Sequence, residues 1–374
     1  IKCNLREVMM AKKIILILLT TIILTGCWDS AEINDRDYIF AVGIDKGEDE
    51  NLVFTAEIPK INEGSEEQRI IFTQESKNLS NFYNDSFVRS EKVISDRLMQ
   101  VIVIGESIAE DTETFKRLFD EIQRSPQINR RVKIAVAKGD AKKIIETEIP
   151  SNPIVGRYLS EMLIKLKKSN VQSIYTFDEA LLNLQGFGSG LIPIVEKFED
   201  SLKIENAAVM KDYKKIGNLN SLENEIVMLI LDPKSSNIRN INLNVEDSII
   251  SLSTVNIKST NKIKLSDDKL SVNYYVTLYC FIESFTLNNK SLADKKFIDK
   301  IKEAAVNQIS EQTDSTINKV QKIYKIDLFK IKNELYKYHN IKYKKIEDNY
   351  QQVFENADIN VYYAVDIKST GLVK

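Results

Sequence analysis

The chain has 374 residues, three cysteines, one histidine and a formal net charge of −2. A near-neutral chain without a long basic run argues against nucleic acid as a partner, because nucleic-acid binding needs a local excess of Lys and Arg. A single histidine excludes a His-rich metal site and disfavours a His-based catalytic triad. We therefore expect no metal and no cofactor.

The first 26 residues have the features of a signal peptide. Two lysines at 12–13 precede an apolar run over 14–23. A spanning helix needs roughly 20 residues, so this run is too short to be a permanent span. We expect the natural chain to start at Met9 or Met10, because the residues before them resemble a misassigned upstream extension.

The apolar run ends in Leu24-Thr25-Gly26-Cys27, a lipobox. This motif predicts cleavage by signal peptidase II between Gly26 and Cys27. It also predicts an S-diacylglycerol and an N-acyl group, such as palmitate, on Cys27. Two or three acyl chains anchor a protein stably where one does not. The alternative is an ordinary secretory signal with a chance cysteine.

A short polar tether over 27–37 leads to a predicted N-terminal α/β domain over 38–195. Strands and helices alternate there, which favours an α/β or α+β layer. The strand over 97–104 is the most apolar in the chain, and a continuous apolar run indicates burial on both faces. Predicted strands cover 38–44, 52–58, 97–104 and 131–137, and predicted helices cover 79–84, 112–125 and a short segment capped by Asp140.

The segment 150–190 is predicted to form a small helical subdomain. One helix starts at Pro153, and a second starts at a Thr176–Glu179 capping box. The glycines over 186–190 suggest a phosphate loop, but no Lys-Ser/Thr pair follows them. We expect them to form a loop into the next strand.

A C-terminal α+β domain is predicted over 196–374. It starts with a hairpin around 211–214. The strand over 270–283 alternates apolar and polar residues, which marks a sheet with one buried face. A long helix over 294–324 should cover that sheet, and the last strand lies at 359–367. The whole chain is thus expected to be multi-domain α+β, with mixed and antiparallel sheets packed against helices.

The strand over 270–283 also carries a candidate docking patch. Tyr275, Tyr279 and Phe281 lie opposite its apolar side and are a candidate surface for a protein partner. The alternative is that a second layer, such as the long helix, covers them. Cys280 lies on the apolar side and is expected to be a small buried side chain rather than a reactive thiol.

No catalytic residues are predicted. The paired carboxylates Glu66 with Glu67 and Asp267 with Asp268 lie in polar loops, which favours solvated surfaces over acid–base catalysis. Ser189 lacks the spacing of a nucleophile motif.

The order of several motifs resembles the Ger(x)C family of spore germination lipoproteins. The lipobox is followed by Cys27-Trp28-Asp29 and by Ala41-Val42-Gly43-Ile44-Asp45-Lys46. Further matching segments lie at 101–109, 131–141, 207–219, 327–329 and the final strand. Two features depart from the family pattern: Lys330 stands where a Gly usually follows Asp-x-Phe, and Tyr343 and Tyr350 stand near the usual late tryptophan.

The resemblance implies a non-enzymatic C subunit of a GerA-type germinant receptor. Such a subunit would be lipid-anchored on the outer face of the spore inner membrane, beside a polytopic A subunit and a transporter-like B subunit. It would be required for nutrient-triggered germination. The family has no accepted catalytic residues to transfer.

Two other functions compete with this one. A solute-binding lipoprotein would deliver a small ligand to a membrane transporter, and it predicts two similar lobes, which the sequence does not show. An envelope hydrolase would need a nucleophile–base pair, which is also missing from the sequence.

Overall fold

The computed structural model describes residues 9–15, 36–60, 68–88, 90–168, 176–231, 240–266, 269–286 and 291–369. Two large sheets dominate these residues, and helices pack against both, which confirms a multi-domain α+β fold. Cys27, the lipobox and most of the tether lie outside the described residues. Within the described part, no helix has both the length and the apolar composition needed to cross a bilayer.

The elements are numbered here in chain order. The strands are β1 Arg36–Tyr38, β2 Ala41–Lys46, β3 Leu52–Pro59, β4 Arg69–Ser76, β5 Val93–Ser95, β6 Val101–Ile104, β7 Lys133–Ala137, β8 Ser189–Phe198, β9 Ser201–Lys211, β10 Lys214–Leu219, β11 Asn240–Val245, β12 Ser248–Ser266, β13 Lys269–Thr286 and β14 Asp358–Ser369. The helices are α1 Leu79–Phe87, α2 Glu106–Ala109, α3 Thr112–Arg124, α4 Ala141–Ile145, α5 Val155–Lys168, α6 Phe177–Phe187, α7 Ser221–Leu231, α8 Lys295–Asn318, α9 Ile331–Tyr338, α10 Asn340–Ile346 and α11 Tyr350–Glu355.

The first sheet has eight strands in the order β10-β9-β8-β7-β6-β2-β3-β4. Strands β2, β6, β7 and β8 run parallel, and the outer strands are antiparallel to their neighbours. All four residues of β6 are buried, as its continuous apolar run predicted. Strands β2 and β3, predicted at 38–44 and 52–58, pair as an antiparallel hairpin.

Helices cover both faces of this sheet. The larger core lies under α1, α3 and α6, and the smaller one lies under α4 and α5. Helices α5 and α6, which the sequence grouped in one helical subdomain, therefore pack on opposite faces. The capping box that starts α6 is present, with the Thr176 and Glu179 side chains bonded to each other's backbone.

The second sheet has four strands in the order β11-β12-β13-β14. The predicted alternation in β13 is confirmed, because Leu270 and every second residue to Ile282 are buried. One strand, β12, covers Ser248–Ser266 and pairs with β13 through a bulge near Val255. The long helix α8 covers the apolar face and ends in a π-helical turn, Lys319–Ile323.

Strands β8 and β9 belong to both cores. Leu191 and Val209 face the core of the second sheet, whereas Ile192 and Ala208 face the larger core of the first. The hairpin β9–β10, expected to open a separate body, therefore extends the first sheet instead. The predicted boundary at 195/196 falls inside this sheet, and the division into two domains stays a prediction.

Buried charges tie the helices of the smaller core to the strands. The Glu57 carboxylate, fully buried, accepts hydrogen bonds at 2.6 Å from the backbone N–H groups of Val155 and Gly156, where α5 begins. It also pairs with Arg69 at 2.8 Å. Arg69 in turn donates to the carbonyls of Ile145 and Thr147, at the end of α4. One ion pair thus satisfies two helix termini.

A second carboxylate, that of Asp45, caps the start of α4. Asp45 accepts hydrogen bonds from the N–H groups of Ala141 at 2.7 Å and Lys142 at 2.8 Å. The predicted cap, Asp140, makes no such bond with its side chain. Gly43 lets this helix approach, because a Cβ there would lie 3.1 Å from the backbone of Ala141. The Gly43-Ile44-Asp45 motif therefore maintains the fold.

Replacing Glu57 by alanine should strongly destabilise the protein. The change leaves Arg69 buried without its partner and two helix N–H groups without acceptors, which costs about 3–5 kcal/mol for a buried pair. Urea unfolding measures the loss. Glu161→Ala, on the exposed side of α5, is the matched control and should stay within about 0.5 kcal/mol of the parent. Equal effects of the two substitutions would contradict the capping role.

Candidate functional site

The predicted docking patch lies on the open face of the second sheet. Tyr275 is 42% exposed and stacks on Tyr362 of β14 with ring centroids 5.3 Å apart. Tyr279 and Phe281 are half-buried in the same face. The long helix packs on the opposite face, where Tyr274 is buried, so α8 does not cover these three side chains.

Lysine side chains lie over the aromatic rings of this face. Lys262 lies 5.5 Å from the ring centroid of Tyr275. Lys258 and Lys368 lie 5.3 and 4.9 Å from that of Tyr279. Such cation–π contacts orient the side chains and leave ammonium groups at the surface. The face thus combines positive charge with flat aromatic area, and aromatic residues are enriched in protein interfaces.

A second candidate site lies at the seam between the two sheets. The Asp327 carboxylate accepts hydrogen bonds from the N–H groups of Ile331 at 3.1 Å and Lys332 at 2.8 Å, and from the Tyr350 hydroxyl at 2.6 Å. Burial raises the pKa of Asp327, and it also raises that of Tyr350. A cavity of about 120 Å³ adjoins them, bounded also by Gly188 at the start of β8.

The seam carboxylate has a structural task. All the hydrogen bonds described for Asp327 serve the start of α9 or fix Tyr350. The Tyr350 hydroxyl is held at the seam by its bond to Asp327.

Lys330 has an unusual backbone conformation. Lys330 has φ 57° and ψ 30°, in the left-handed region. A glycine adopts this conformation without the steric cost that a Cβ brings. Lys330 thus carries a steric cost that a glycine at this position would not.

The seam is closed by a contact between β10 and the end of the long helical stretch. The Tyr324 hydroxyl donates to the carbonyl of Asn218 at 3.0 Å and accepts from its N–H at 3.2 Å. A Cβ at Gly217 would lie 2.5 Å from the Tyr324 ring. Lys319 adds an ion pair to Glu223 at 2.7 Å. The Gly217-Asn218 motif is therefore a packing motif.

The described residues hold no group of three or more His, Cys, Asp or Glu side chains arranged for a metal ion. The Cys280 thiol is buried as predicted, and burial raises its pKa, so the thiolate is disfavoured. The 186–190 glycines lie at the end of α6 and the start of β8, as a connection into a strand.

Sequence reasoning found the aromatic residues but missed the charged ones that organise the fold. No local sequence signal identifies Glu57 and Arg69, since the helix termini that they bond lie 76 to 99 residues away in the chain. Asp45 stood in a motif, but nothing in the motif indicates which helix it serves.

Two family models match the chain end to end. A model described as spore germination protein N-terminal domain matches residues 29–197. A second, described as spore germination B3/GerAC-like, C-terminal, matches residues 205–371. Together they cover most of the chain, in the order that the family requires.

Individual relatives agree with this. Spore germination protein YndF of Bacillus subtilis is 22% identical, over 96% of this chain and 96% of its own. Spore germination protein A3 of the same organism is 25% identical, over 96% and 98%. The crystal structure of the GerBC protein superposes with a TM-score of 0.60 at 16% identity, covering 87% of this chain and 96% of that one.

The fold and the paired models define a two-part spore germination protein. The chain belongs to the Ger(x)C family.

Replacing Lys330 by glycine should stabilise the protein slightly. Relief of the left-handed strain, roughly 1–2 kcal/mol, exceeds the entropic cost of a glycine, roughly 0.5–1 kcal/mol. The melting temperature should therefore rise by a few degrees in a thermal unfolding experiment. Lys330→Ala is the matched control, because it also removes the lysine but keeps the Cβ; it should bring no gain. A loss of stability in the glycine variant would show that the lysine side chain itself is needed.

Proposed function

We propose that this protein is a non-enzymatic C subunit of a germinant receptor, required for nutrient-triggered germination through contacts with the A and B membrane subunits. Membership of the Ger(x)C family over residues 29–371 is the observation that carries this proposal. The described residues add support, because the carboxylates of Asp45, Glu57 and Asp327 are committed to helix termini.

The proposed anchor is the diacylglyceryl group on Cys27. The tether from Cys27 to the first strand, which begins at Arg36, is short: an extended chain gains at most about 3.6 Å per residue. The body would thus stay within roughly 40 Å of the outer face of the spore inner membrane, within reach of integral membrane partners.

The proposed contact surface is the open face of the second sheet, with Tyr275, Tyr279 and Phe281 at its centre and Tyr362 beside them. Aromatic side chains supply much of the binding energy in protein interfaces, where binding buries them. The two stacked tyrosines are each about half exposed and so still have area to bury. The occupant would be an extracytoplasmic segment of a membrane subunit.

A solute-binding role is less well supported. It requires two matching lobes around a hinge, whereas the two sheets here have eight and four strands and different topologies. Strands β8 and β9 also contribute to both cores. Calorimetry of the purified body with amino acids, sugars and nucleosides should be flat; a saturable heat would favour the solute-binding role.

Replacing Cys27 by alanine should abolish lipidation and reduce nutrient-triggered germination. The measurement is incorporation of a labelled fatty-acid analogue in sporulating cells, followed by germination assays. Cys280→Ala is the control, because that thiol is buried and should leave the label unchanged. Equal label on the Cys27 variant and the parent would refute the anchor.

Replacing Tyr275 by alanine should weaken recovery of the polytopic subunits in affinity capture from spore membranes. Loss of an interface aromatic costs on the order of 2 kcal/mol, or roughly thirtyfold in affinity. Phe198→Ala removes an aromatic side chain that is 50% exposed at the end of β8 and is the matched control. Unchanged recovery with Tyr275→Ala would reject this face as the contact surface, and recovery of no polytopic partner with the parent would reject the subunit role.

A further inference from the structure

Apolar side chains are exposed where α9 and α10 meet at His339. Tyr336 is 58% exposed, Tyr338 is 76% exposed and Ile341 is 82% exposed. All three lie within six residues of one another, around one bend of the chain. The inner side of the same two helices packs in the core of the second sheet through Ile331, Leu335, Tyr343 and Ile346. The bend is therefore held firmly by its buried side and presents its apolar tips outward.

Exposed lysines surround these tips. The segment 330–346 contains six lysines and one glutamate. Four of the lysines are exposed and form no ion pair within the described ranges of the chain. These three apolar side chains and four lysines are called the elbow patch: Tyr336, Lys337, Tyr338, Ile341, Lys342, Lys344 and Lys345. The near-zero charge of the whole chain conceals this local excess.

The composition of the elbow patch fits a lipid surface. Tyrosine is enriched at the membrane–water interface, where its ring lies among headgroups. An exposed isoleucine gains free energy by entering the acyl boundary, and lysines reach anionic headgroups with their ammonium groups while their stems stay apolar. An acidic protein surface could use the lysines, but it gives no reason for an isoleucine that is 82% exposed.

The sheet topology places the elbow patch near the point where the tether enters. Strands β2, β6, β7 and β8 are parallel, so their amino ends lie at one edge of the sheet. Arg36–Tyr38 immediately precedes β2 at that edge. Lys330, at the start of α9, bounds a small cavity with Ser189 and Gly190, the first residues of β8. The tether and the root of the elbow thus share one edge of the body.

We propose that the elbow patch binds the surface of an anionic membrane and holds the body in a fixed orientation on it. The lipid on Cys27 supplies attachment, and the elbow patch supplies a second contact. This inference rests on the proposed function in one respect, the lipid anchor on Cys27. The test distinguishes failure of the anchor from failure of the elbow patch.

The test uses the mature lipidated protein on vesicles of equal parts phosphatidylglycerol and phosphatidylcholine, with brominated acyl chains as quenchers. Ile341→Cys carries an environment-sensitive fluorophore; Cys280 is buried and does not compete for label. Phe198→Cys, half exposed at the carboxyl end of β8 and so at the opposite edge, is the matched control. Quenching should be several-fold greater at position 341 than at position 198.

A second variant tests the contribution of the lysine charges to membrane binding. Each lysine near an anionic surface strengthens partitioning by roughly fivefold. Combining Lys337→Glu, Lys342→Glu, Lys344→Glu and Lys345→Glu should therefore reduce quenching at 341 to the level at 198, as should neutral vesicles or high salt. These positions are exposed, so circular dichroism should confirm that the variant stays folded.

The outcomes are distinct. Failure of the protein to float with neutral vesicles overturns the anchor. Flotation with equal quenching at positions 341 and 198 overturns the elbow patch as a membrane contact. Quenching at 341 that appears only when a polytopic partner is present also overturns it, and would assign the lysines to an acidic protein surface.

Discussion

The first sheet depends on carboxylates that reach from its strands to the helices packed on it. Glu57 caps α5, Asp45 caps α4, and Arg69 connects Glu57 to the end of α4. A charge buried without partners is expensive, whereas a charge that collects helix N–H groups is stabilised by them. Asp327 differs, because it lies in the loop before α9 and caps that helix locally. Two acidic side chains of the first sheet thus fix helices that lie far from them in the sequence.

Features that depend on neighbouring residues could be predicted from the sequence. The alternation of β13, the continuous burial of β6 and the Thr176–Glu179 capping box all depend on residues a few positions apart. The same alternation placed Tyr275, Tyr279 and Phe281 on the face away from the core. It could not say whether that face was covered, because this depends on which side α8 packs.

Features that depend on distant residues could not be predicted in the same way. The partners of Glu57 and Asp45 are set by the order of strands in the sheet, which no local pattern contains. The β9–β10 hairpin has the same sequence pattern whether it starts a new body or extends the first sheet. The left-handed backbone at Lys330 could not be predicted, because a lysine in the sequence does not indicate that conformation. The elbow lysines were hidden by an almost balanced total charge.

Strands β8 to β10 restrict how the two halves of the molecule can move relative to each other. A joint that let the two halves swing apart would have to break backbone hydrogen bonds in a shared sheet, together with the Tyr324–Asn218 contact at the seam. The protein has no low-energy axis of bending there. A displacement of one end must therefore displace the other end as well, so the described body is suited to act as a stiff brace.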